Sequence, residues 1–449
     1  MVLDLIVKHK QELMSSHKPL DNGFKAKLKP SSRSLKKALL SNRTSFICEI
    51  KPASPSQGVL RKEIDISEIA NIYDPFADAI SVLADEKFFN GSLENVRKVS
   101  EGTACPILCK DVVIGPEQIY EARYFGADAV LLMLSVLDDD NYKRCYEVAA
   151  GLNLDVISEV HDESEMKRAV KLKAPIIGIN NRNLKTLEID MDTTERLLPM
   201  APKDAVLISE SGFSDHAQVM RYKNKVNGFL VGSSLMRSSR IDLALRALIF
   251  GRVKICGITN ANDARLAYDA GAYYGGLNFA PQSKRKIDIK EAKMIKAGAP
   301  LKWGGIFVDQ SLDEVIQTAN ALNLDFVQLH GHEAKDFIQD LRPMLPVDCE
   351  IWKAFGMHES IEIPERLGAD LLLFDAANNQ GTGKSFNWKI IDQARTERFG
   401  IAGGIGAHNA HDAARLNPYL IDIASGAEEV DPRKKSKSSL QEIFKVLRG

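Results

Sequence analysis

The chain has 449 residues, 45% apolar and 27% charged, as in an ordinary globular protein. Its 59 basic side chains face 60 acidic ones, which leaves no electrostatic case for DNA, RNA or an anionic membrane as partner. Charges interrupt the apolar positions of MVLDLIVKHKQELMSSHKPL, so it offers no signal-peptide core, and no stretch approaches the ~20 apolar residues of a membrane span. Cys48, Cys105, Cys109, Cys145, Cys256 and Cys349 are scattered, mostly in or beside apolar runs. That pattern suits reduced thiols in the cytoplasm better than a disulfide framework.

In chain order, short β-rich runs are predicted at 46–50, 79–84, 106–109, 129–134, 154–160, 176–180, 205–209 and 228–231. Amphipathic stretches separate them; the one opening at Pro116 places Ile119, Ala122, Arg123 and Phe125 at helical spacing and stops at Gly126. The runs show little apolar/polar alternation, as expected of strands buried on both faces of a parallel sheet. Eight strand–helix units in roughly 200 residues point to a (β/α)₈ barrel.

A helix over 242–250 ends at Gly251, and the rhythm restarts at once with RVKICGIT. Further runs fall at 253–256, 275–279, 303–308, 326–329, 351–354, 371–374, 400–403 and 420–424. A single open sheet of so many strands would be strained. The predicted architecture is therefore α/β, two consecutive (β/α)₈ TIM barrels over 1–250 and 252–449, the first with an N-terminal helical extension. The basic run Arg433-Lys434-Lys435-Ser436-Lys437 reads as a solvated loop.

Barrel enzymes work at the C-terminal ends of their strands, and those ends are polar here. In the first half, strand one carries Glu49 and Lys51 on one face, strand three ends in Lys110 and Asp111, and strand five ends in Glu159. Strand six ends in Asn180 and Arg182, strand seven in Glu210, Ser211 and Gly212, and strand eight runs into Gly232, Ser233 and Ser234. Lysines and glutamates facing each other in a dry mouth acquire shifted pKa values suited to acid and base roles. Ser211-Gly212 and Gly232-Ser233 follow strands seven and eight, where barrels often bind phosphate with backbone N–H groups. Arg182 offers a fork for a carboxylate.

CEIKPASPSQG, ILCKD, ISEV, GINNRNL, ISESG and GFLVGSS together resemble the indole-3-glycerol-phosphate synthase family. That resemblance implies closure of the indole ring of 1-(2-carboxyphenylamino)-1-deoxyribulose 5-phosphate, with loss of CO₂ and water. It gives Lys110 the role of general acid at the ribulose carbonyl and Glu159 that of partner acid/base in dehydration. Lys51 is placed near the substrate carboxylate with a share in proton transfer. Glu49 and Glu210 tune the lysines and bind hydroxyls, Asn180 and Arg182 contact substrate, and Ser54 lines the first loop. Ser211, Gly212, Gly232 and Ser233 form the phosphate cradle, and the first 45 residues cap the mouth. Val112 stands where the family often has an aromatic.

In the second half Cys256 ends strand one. By itself it reads as a buried thiol, a weakly supported metal ligand (His408 and His411 share a helix face without a third ligand), or a base or nucleophile. The companion strand ends hold Gln328 and His330, Asp375, Gly403 and Gly404, and Ser425 and Gly426, with Arg285 after strand two. GTGKS is not a P-loop, because position 378, where that motif needs Gly, is Asn378. KICGIT, QLHG, LFDAANNQGTGKSFNW, IAGGIG and ASGAEE resemble the phosphoribosylanthranilate isomerase family. The resemblance implies an Amadori rearrangement, with Asp375 as general acid on the furanose oxygen and Cys256 as base at C2′. A free thiol, whose pKa is about 8.5, would need only a modest shift for that role. Arg285 would meet the anthranilate carboxylate beside His330, and Gly381, Gly383, Gly403, Gly404, Ser425 and Gly426 would hold phosphate.

The fusion thus resembles bifunctional tryptophan-biosynthesis enzymes acting on small phosphorylated substrates, needing no metal or organic cofactor. It is expected to be a cytoplasmic monomer, with separate mouths and the intermediate crossing solvent. Two readings from other classes stay open: a Schiff-base aldolase using Lys110, and one barrel serving only as a phosphate-ligand sensor.

Overall fold

The computed structural model describes residues 2–16, 22–62, 64–184, 186–357, 366–376, 388 and 398–449. The chain divides into two compact units, Met1–Leu245 and Arg246–Gly449.

In the first unit, β1 (Ser45–Ile50), β2 (Ala79–Leu83), β3 (Ile107–Lys110), β4 (Ala129–Met133), β5 (Asp155–Val160), β6 (Ile176–Asn180), β7 (Val206–Glu210) and β8 (Gly228–Val231) form a closed parallel barrel. β1 closes it, pairing Cys48 with both Ile80 of β2 and Val231 of β8. Inward positions recur every second residue. One face therefore runs from an apolar interior to a charged mouth: Ile47 to Glu49, Leu108 to Lys110, Ile157 to Glu159 and Ile208 to Glu210. Ile47, Leu108, Ile157, Ile176 and Ile208 belong to one buried cluster. Gly178 is the gap in this pattern; a Cβ there would overlap the Glu210 carboxylate.

The N-terminal extension serves both ends of this barrel, whereas the sequence suggested only a cap over the mouth. The helix Val2–Ser16 brings Val2, Leu3 and Ile6 to the mouth cavity. Its Lys10 is buried, 3.1 Å from Asp85 and 2.6 Å from Asp111 at the ends of β2 and β3. The short helix Leu35–Leu39 plugs the opposite end, with Leu35 and Leu39 in the barrel cluster. Arg33 reaches Asp128 at 2.7 Å, and Ser34 donates to Asp155 at 2.8 Å, both near strand starts.

The second unit repeats the architecture with β9 (Arg252–Cys256), β10 (Tyr274–Asn278), β11 (Lys302–Phe307), β12 (Phe326–Leu329), β13 (Glu350–Met357), β14 (Leu371–Ala376), β15 (Phe399–Ile401) and β16 (Leu420–Ile423). β9 closes this barrel between β10 and β16. Its floor is aromatic: Phe326 and Trp352 stack with centroids 3.6 Å apart, and Tyr274 meets both edge-on. The linking helix spans Ile241–Phe250; Phe250 packs on Phe444, and the Arg246 guanidinium lies 3.7 Å from the Tyr268 ring centroid.

In the basic run, read as a solvated loop, Lys434 and Lys437 are exposed but Lys435 is not. Lys435 is buried at 2% exposure, its Nζ 2.8 Å from Glu428 and its backbone N–H donating to Asp263. Composition hid this because the partner carboxylates lie on other segments. Among the described residues no helix is long and apolar enough to cross a membrane, and all six cysteines are free.

Removing Lys10 strands Asp85 and Asp111 without their shared cation, and breaking a buried pair this way typically costs about 3–5 kcal/mol. Lys10→Met is expected to raise amide hydrogen exchange across Val2–Ser16 at least about tenfold, or ~1.4 kcal/mol, while Leu35–Leu39 keeps its protection. Equal protection of Val2–Ser16 in parent and variant would contradict the anchoring role.

Candidate active sites

The mouth of the first barrel holds a cavity of about 310 Å³. Its lining includes every first-half residue singled out above: Glu49, Lys51, Ser54, Lys110, Glu159, Asn180, Arg182, Glu210, Ser211, Gly212, Gly232 and Ser233. Lys110 Nζ lies 2.8 Å from Glu210 and 3.5 Å from Glu159, and Lys51 Nζ lies 2.6 Å from Glu49. Ser54 belongs to a short hairpin, Ala53–Ser54 against Gly58–Val59, that folds back after β1. Ser211 and Gly212 turn with φ of 66° and 96°, and Gly232 begins the short helix Ser233–Arg237. A Cβ on Gly232 would stand 2.9 Å from Glu49 Cβ, so glycine lets the cradle and the acid share the rim. Val112 is buried in the lining, and the aromatic neighbours there are Phe89 and Phe213.

The charges are strongly perturbed. Burial works against ionisation of Glu159, but the Lys110 ammonium, the nearby His161 and Asn180 together hold its carboxyl well below the usual range. Burial pushes Glu210 upward, and repulsion from Glu159 and Glu49 adds to that despite Lys110. Burial also opposes the Lys110 charge, yet Glu210 and Glu159 outweigh it and raise the ammonium pKa. Two glutamates on one lysine are therefore driven apart, one kept ionised and one driven toward its neutral form, the pattern that separates acid from base. Glu49 Oε2 and Glu210 Oε1 are buried without hydrogen-bond partners.

Sequence reasoning passed over two members of this mouth. His161 stands 3.1 Å from Glu159 through Nε2 and 3.0 Å from Glu165 through Nδ1. Facing carboxylates on both ring nitrogens, it is held as imidazolium. Burial would lower its pKa, but Glu159 and Glu165 push it up to about 10. Its signal was its place directly after the ISEV run. Arg237 also lines the cavity, and its charge adds to burial in lowering the pKa of Arg182, against Glu49. Arg182 itself donates to Leu187 O at 2.7 Å.

In the second barrel Cys256, Asp375 and His330 all stand at the mouth. His330 Nε2 lies 3.3 Å from Asp375, and its Nδ1 lies 3.3 Å from Gln328 Nε2. Asp422 of β16 couples the cluster, since its carboxyl feels Lys254 and Asp375, and Cys256 in turn feels Asp422. Gly403 (φ 85°) and Gly404 (φ 62°) follow β15; a Cβ on Gly403 would stand 2.6 Å from Asp375 Oδ1. Ser425 and Gly426 form a 3₁₀ turn after β16, with Gly426 pressed against the Ile405–Gly406 backbone. Gly381 and Gly383 lie outside the described residues.

Two expectations change. Arg285, expected to meet the anthranilate carboxylate, already holds a carboxylate of the chain: Nε and Nη2 grip Glu428 at 2.6 and 2.8 Å, and Lys435 binds the same group. Cys256 is further from ionisation than a free thiol, because burial, with help from Asp422, outweighs Lys254 and Lys435. His408 precedes the helix Ala410–Arg415 that carries His411, and no group of three or more His, Cys, Asp or Glu among the described residues could hold a metal.

Comparison with known proteins gives the same division. The family model for indole-3-glycerol phosphate synthase matches residues 3–248, and that for N-(5'phosphoribosyl)anthranilate (PRA) isomerase matches residues 253–445. The chain is 43% identical to the tryptophan biosynthesis protein TrpCF of Vibrio cholerae, covering 98% of this chain and 92% of that protein. It is 41% identical to TrpCF of Yersinia pestis, over 100% of this chain and 94% of the relative, and 44% identical to that of Helicobacter pylori strain J99, over 93% of each. The chain belongs to the TrpCF family. It is a bifunctional enzyme with a synthase barrel followed by an isomerase barrel.

The His161 contacts predict a pH effect confined to the first barrel. His161→Gln removes a cation that keeps Glu159 ionised, so the acid limb of the ring-closing profile should move up by about one pH unit, a tenfold loss below it. Isomerisation by the same preparation should be unchanged. In stability, the raised His161 pKa contributes fully below its ordinary 6.5 and is lost as pH rises through about 10. The parent should thus lose its excess stability over His161→Gln across that interval in denaturant titrations. A ring-closing profile that does not move would sink the assignment.

Proposed function

We propose that the two barrels catalyse consecutive steps, the C-terminal one forming the substrate of the N-terminal one. The carrying observation is a separate acid–base cluster at each mouth, on residues that match the two family patterns. In the isomerase barrel, Asp375 gives its proton to the furanose ring oxygen of N-(5-phosphoribosyl)anthranilate. The C1′–O bond breaks and an iminium forms at C1′. Cys256 as thiolate takes the C2′ proton, and the C–H electrons neutralise the iminium to an enolamine. The enolamine tautomerises to 1-(2-carboxyphenylamino)-1-deoxyribulose 5-phosphate. Gly381, Gly383, Gly403, Gly404, Ser425 and Gly426 hold the phosphate, and His330 orients Asp375. Arg285 takes the anthranilate carboxylate through N–H groups left by, or released from, Glu428.

In the synthase barrel, Lys110 protonates the ribulose carbonyl as the ring carbon bearing the carboxylate attacks it. CO₂ leaves, its bonding electrons returning to the ring system. Lys110, now neutral, regains a proton from solvent and gives it to the departing hydroxyl, while Glu159 takes the carbon-bound proton whose loss completes the indole; water leaves. The ionised state of Glu159 and the protonated state of Lys110 support this split. Lys51, Asn180 and Arg182 bind the anthranilate end and hydroxyls with Glu49, Glu210 and Ser54, and Ser211, Gly212, Gly232 and Ser233 hold the phosphate with Arg237 nearby. Every step is proton transfer or decarboxylation into a carbonyl-derived electron sink, so the chain's own side chains suffice. The enzyme acts in the cytoplasm, where its free thiols stay reduced, and as a monomer, because each site draws on one barrel.

Purified full-length chain should convert N-(5-phosphoribosyl)anthranilate to indole-3-glycerol phosphate, at an equal rate with chelator present. Lys110→Ala and Glu159→Gln should each lower ring closure by about 10²-fold or more, the usual worth of a general acid or base, and spare isomerisation. Cys256→Ala and Asp375→Asn should do the reverse. Either pair sparing its own step would overturn the assignment, as would a borohydride-trapped sugar-phosphate adduct on Lys110.

A further inference from the structure

Lys254 takes no part in the chemistry above, yet it is the cation buried beneath the proposed base. It precedes Cys256 by two positions on β9, so both side chains enter the barrel on one face. Its side chain is fully enclosed, a state lysine reaches almost only when paired. The ammonium donates to Asp422 Oδ2 at 2.6 Å and to Gln328 Oε1 at 2.7 Å. The ammonium and the Cys256 thiol share this buried face, and each shifts the ionisation of the other. The neighbouring strand makes room for the arrangement: a Cβ on Gly276 would stand 2.9 Å from Lys254 Cε and 3.1 Å from Cys256 Cα. A buried Lys–Asp pair is weak evidence for stability, since apolar residues of similar volume often serve as well.

We propose that Lys254 is a positioning residue that sets how readily Cys256 ionises, with Asp422 as the opposing charge that holds the thiol back. The inference rests on the reading of Cys256 as the base. The other charges facing the thiol are Lys435, from the segment before the last helix, and Arg285, from the loop after β10, both tied to Glu428. Beyond Asp422 stand Asp375 and His330. Lys254 is the nearest cation along the strand, and the Asp422 carboxylate offsets it. Asp422 Oδ1 is buried without a partner, so a substrate hydroxyl donating there would weaken the brake and favour the thiolate when substrate is bound.

The two partners of one ion pair therefore act on the thiol with opposite sign, which a purely structural role would not produce. The test follows alkylation of Cys256 by iodoacetamide against pH in the full chain, read by peptide mass mapping, alongside both half-reactions. Lys254→Met should move the alkylation midpoint up by about one unit, a tenfold slower reaction at pH 7.5. Isomerisation kcat should fall in step with little change in KM, ring closure should be unchanged as a control on folding, and Lys254→Arg should recover part of the loss. Asp422→Asn should move the midpoint down and speed alkylation. An unmoved midpoint in Lys254→Met, or shifts of the same sign in both variants, overturns the inference. If the lysine variants fail to fold, an unchanged or higher midpoint in Asp422→Asn does so alone. Cys256→Ala separately tests the base assignment: retained isomerisation removes that reading, while the alkylation midpoints still judge the coupling.

Discussion

Charge can be kept inside a barrel only where every ion has a counter-ion, and that condition organises both mouths of this protein. In the first, Glu49, Glu159 and Glu210 are each no more than 2% exposed. They coexist because Lys51, Lys110 and His161 stand among them at 2.6–3.5 Å. The cations do not share themselves evenly, and the imbalance makes the glutamates chemically different. Glu159 has two positive neighbours and stays ionised; Glu210 has one, shared, and tends toward its neutral form. Residue type does not separate an acid from a base here. The count of partners does.

The second mouth uses the same rule with a softer group. A thiol tolerates burial as a neutral species, so Cys256 can rest protonated where a carboxylate would demand a cation. The ions around it are paired to each other instead: Lys254 with Asp422, and Arg285 and Lys435 with Glu428. Lys254 and Lys435 act on the sulfur against Asp422 and burial, leaving it poised by a difference rather than by one strong neighbour. Glycine enters at the same places. Gly257, with φ of 70°, lies so close to the Arg285 side chain that no Cβ would fit, which lets the guanidinium cross the end of β9.

Much of this was legible beforehand. The strands fell within a residue or two of their predicted runs at most positions, because parallel strands covered on both faces are continuous apolar segments. The strand-end residues were legible because the period-two alternation that buries Ile47 and Ile157 also turns Glu49 and Glu159 into the mouth. Lys435 was misread because a basic run looks solvated unless its carboxylates are known, and Glu428 and Asp263 lie on different segments. His161, Arg237 and Asp422 carried no motif of their own. The N-terminal extension was read as one cap because its helices are separately amphipathic; nothing local says that Leu35 and Leu39 face the far end of the barrel.

The sequence by itself determined the two-barrel plan, the order of its strands and the chemical types at each mouth, since these follow from local periodicity and from glycine and polar residues at strand ends. Only the tertiary structure decided which charges meet. Lys110 and Glu210 are 100 positions apart, and Lys254 and Asp422 are 168 apart. Such pairs exist only once a barrel has closed in one register, because a one-residue slip of a strand would turn its charged face outward.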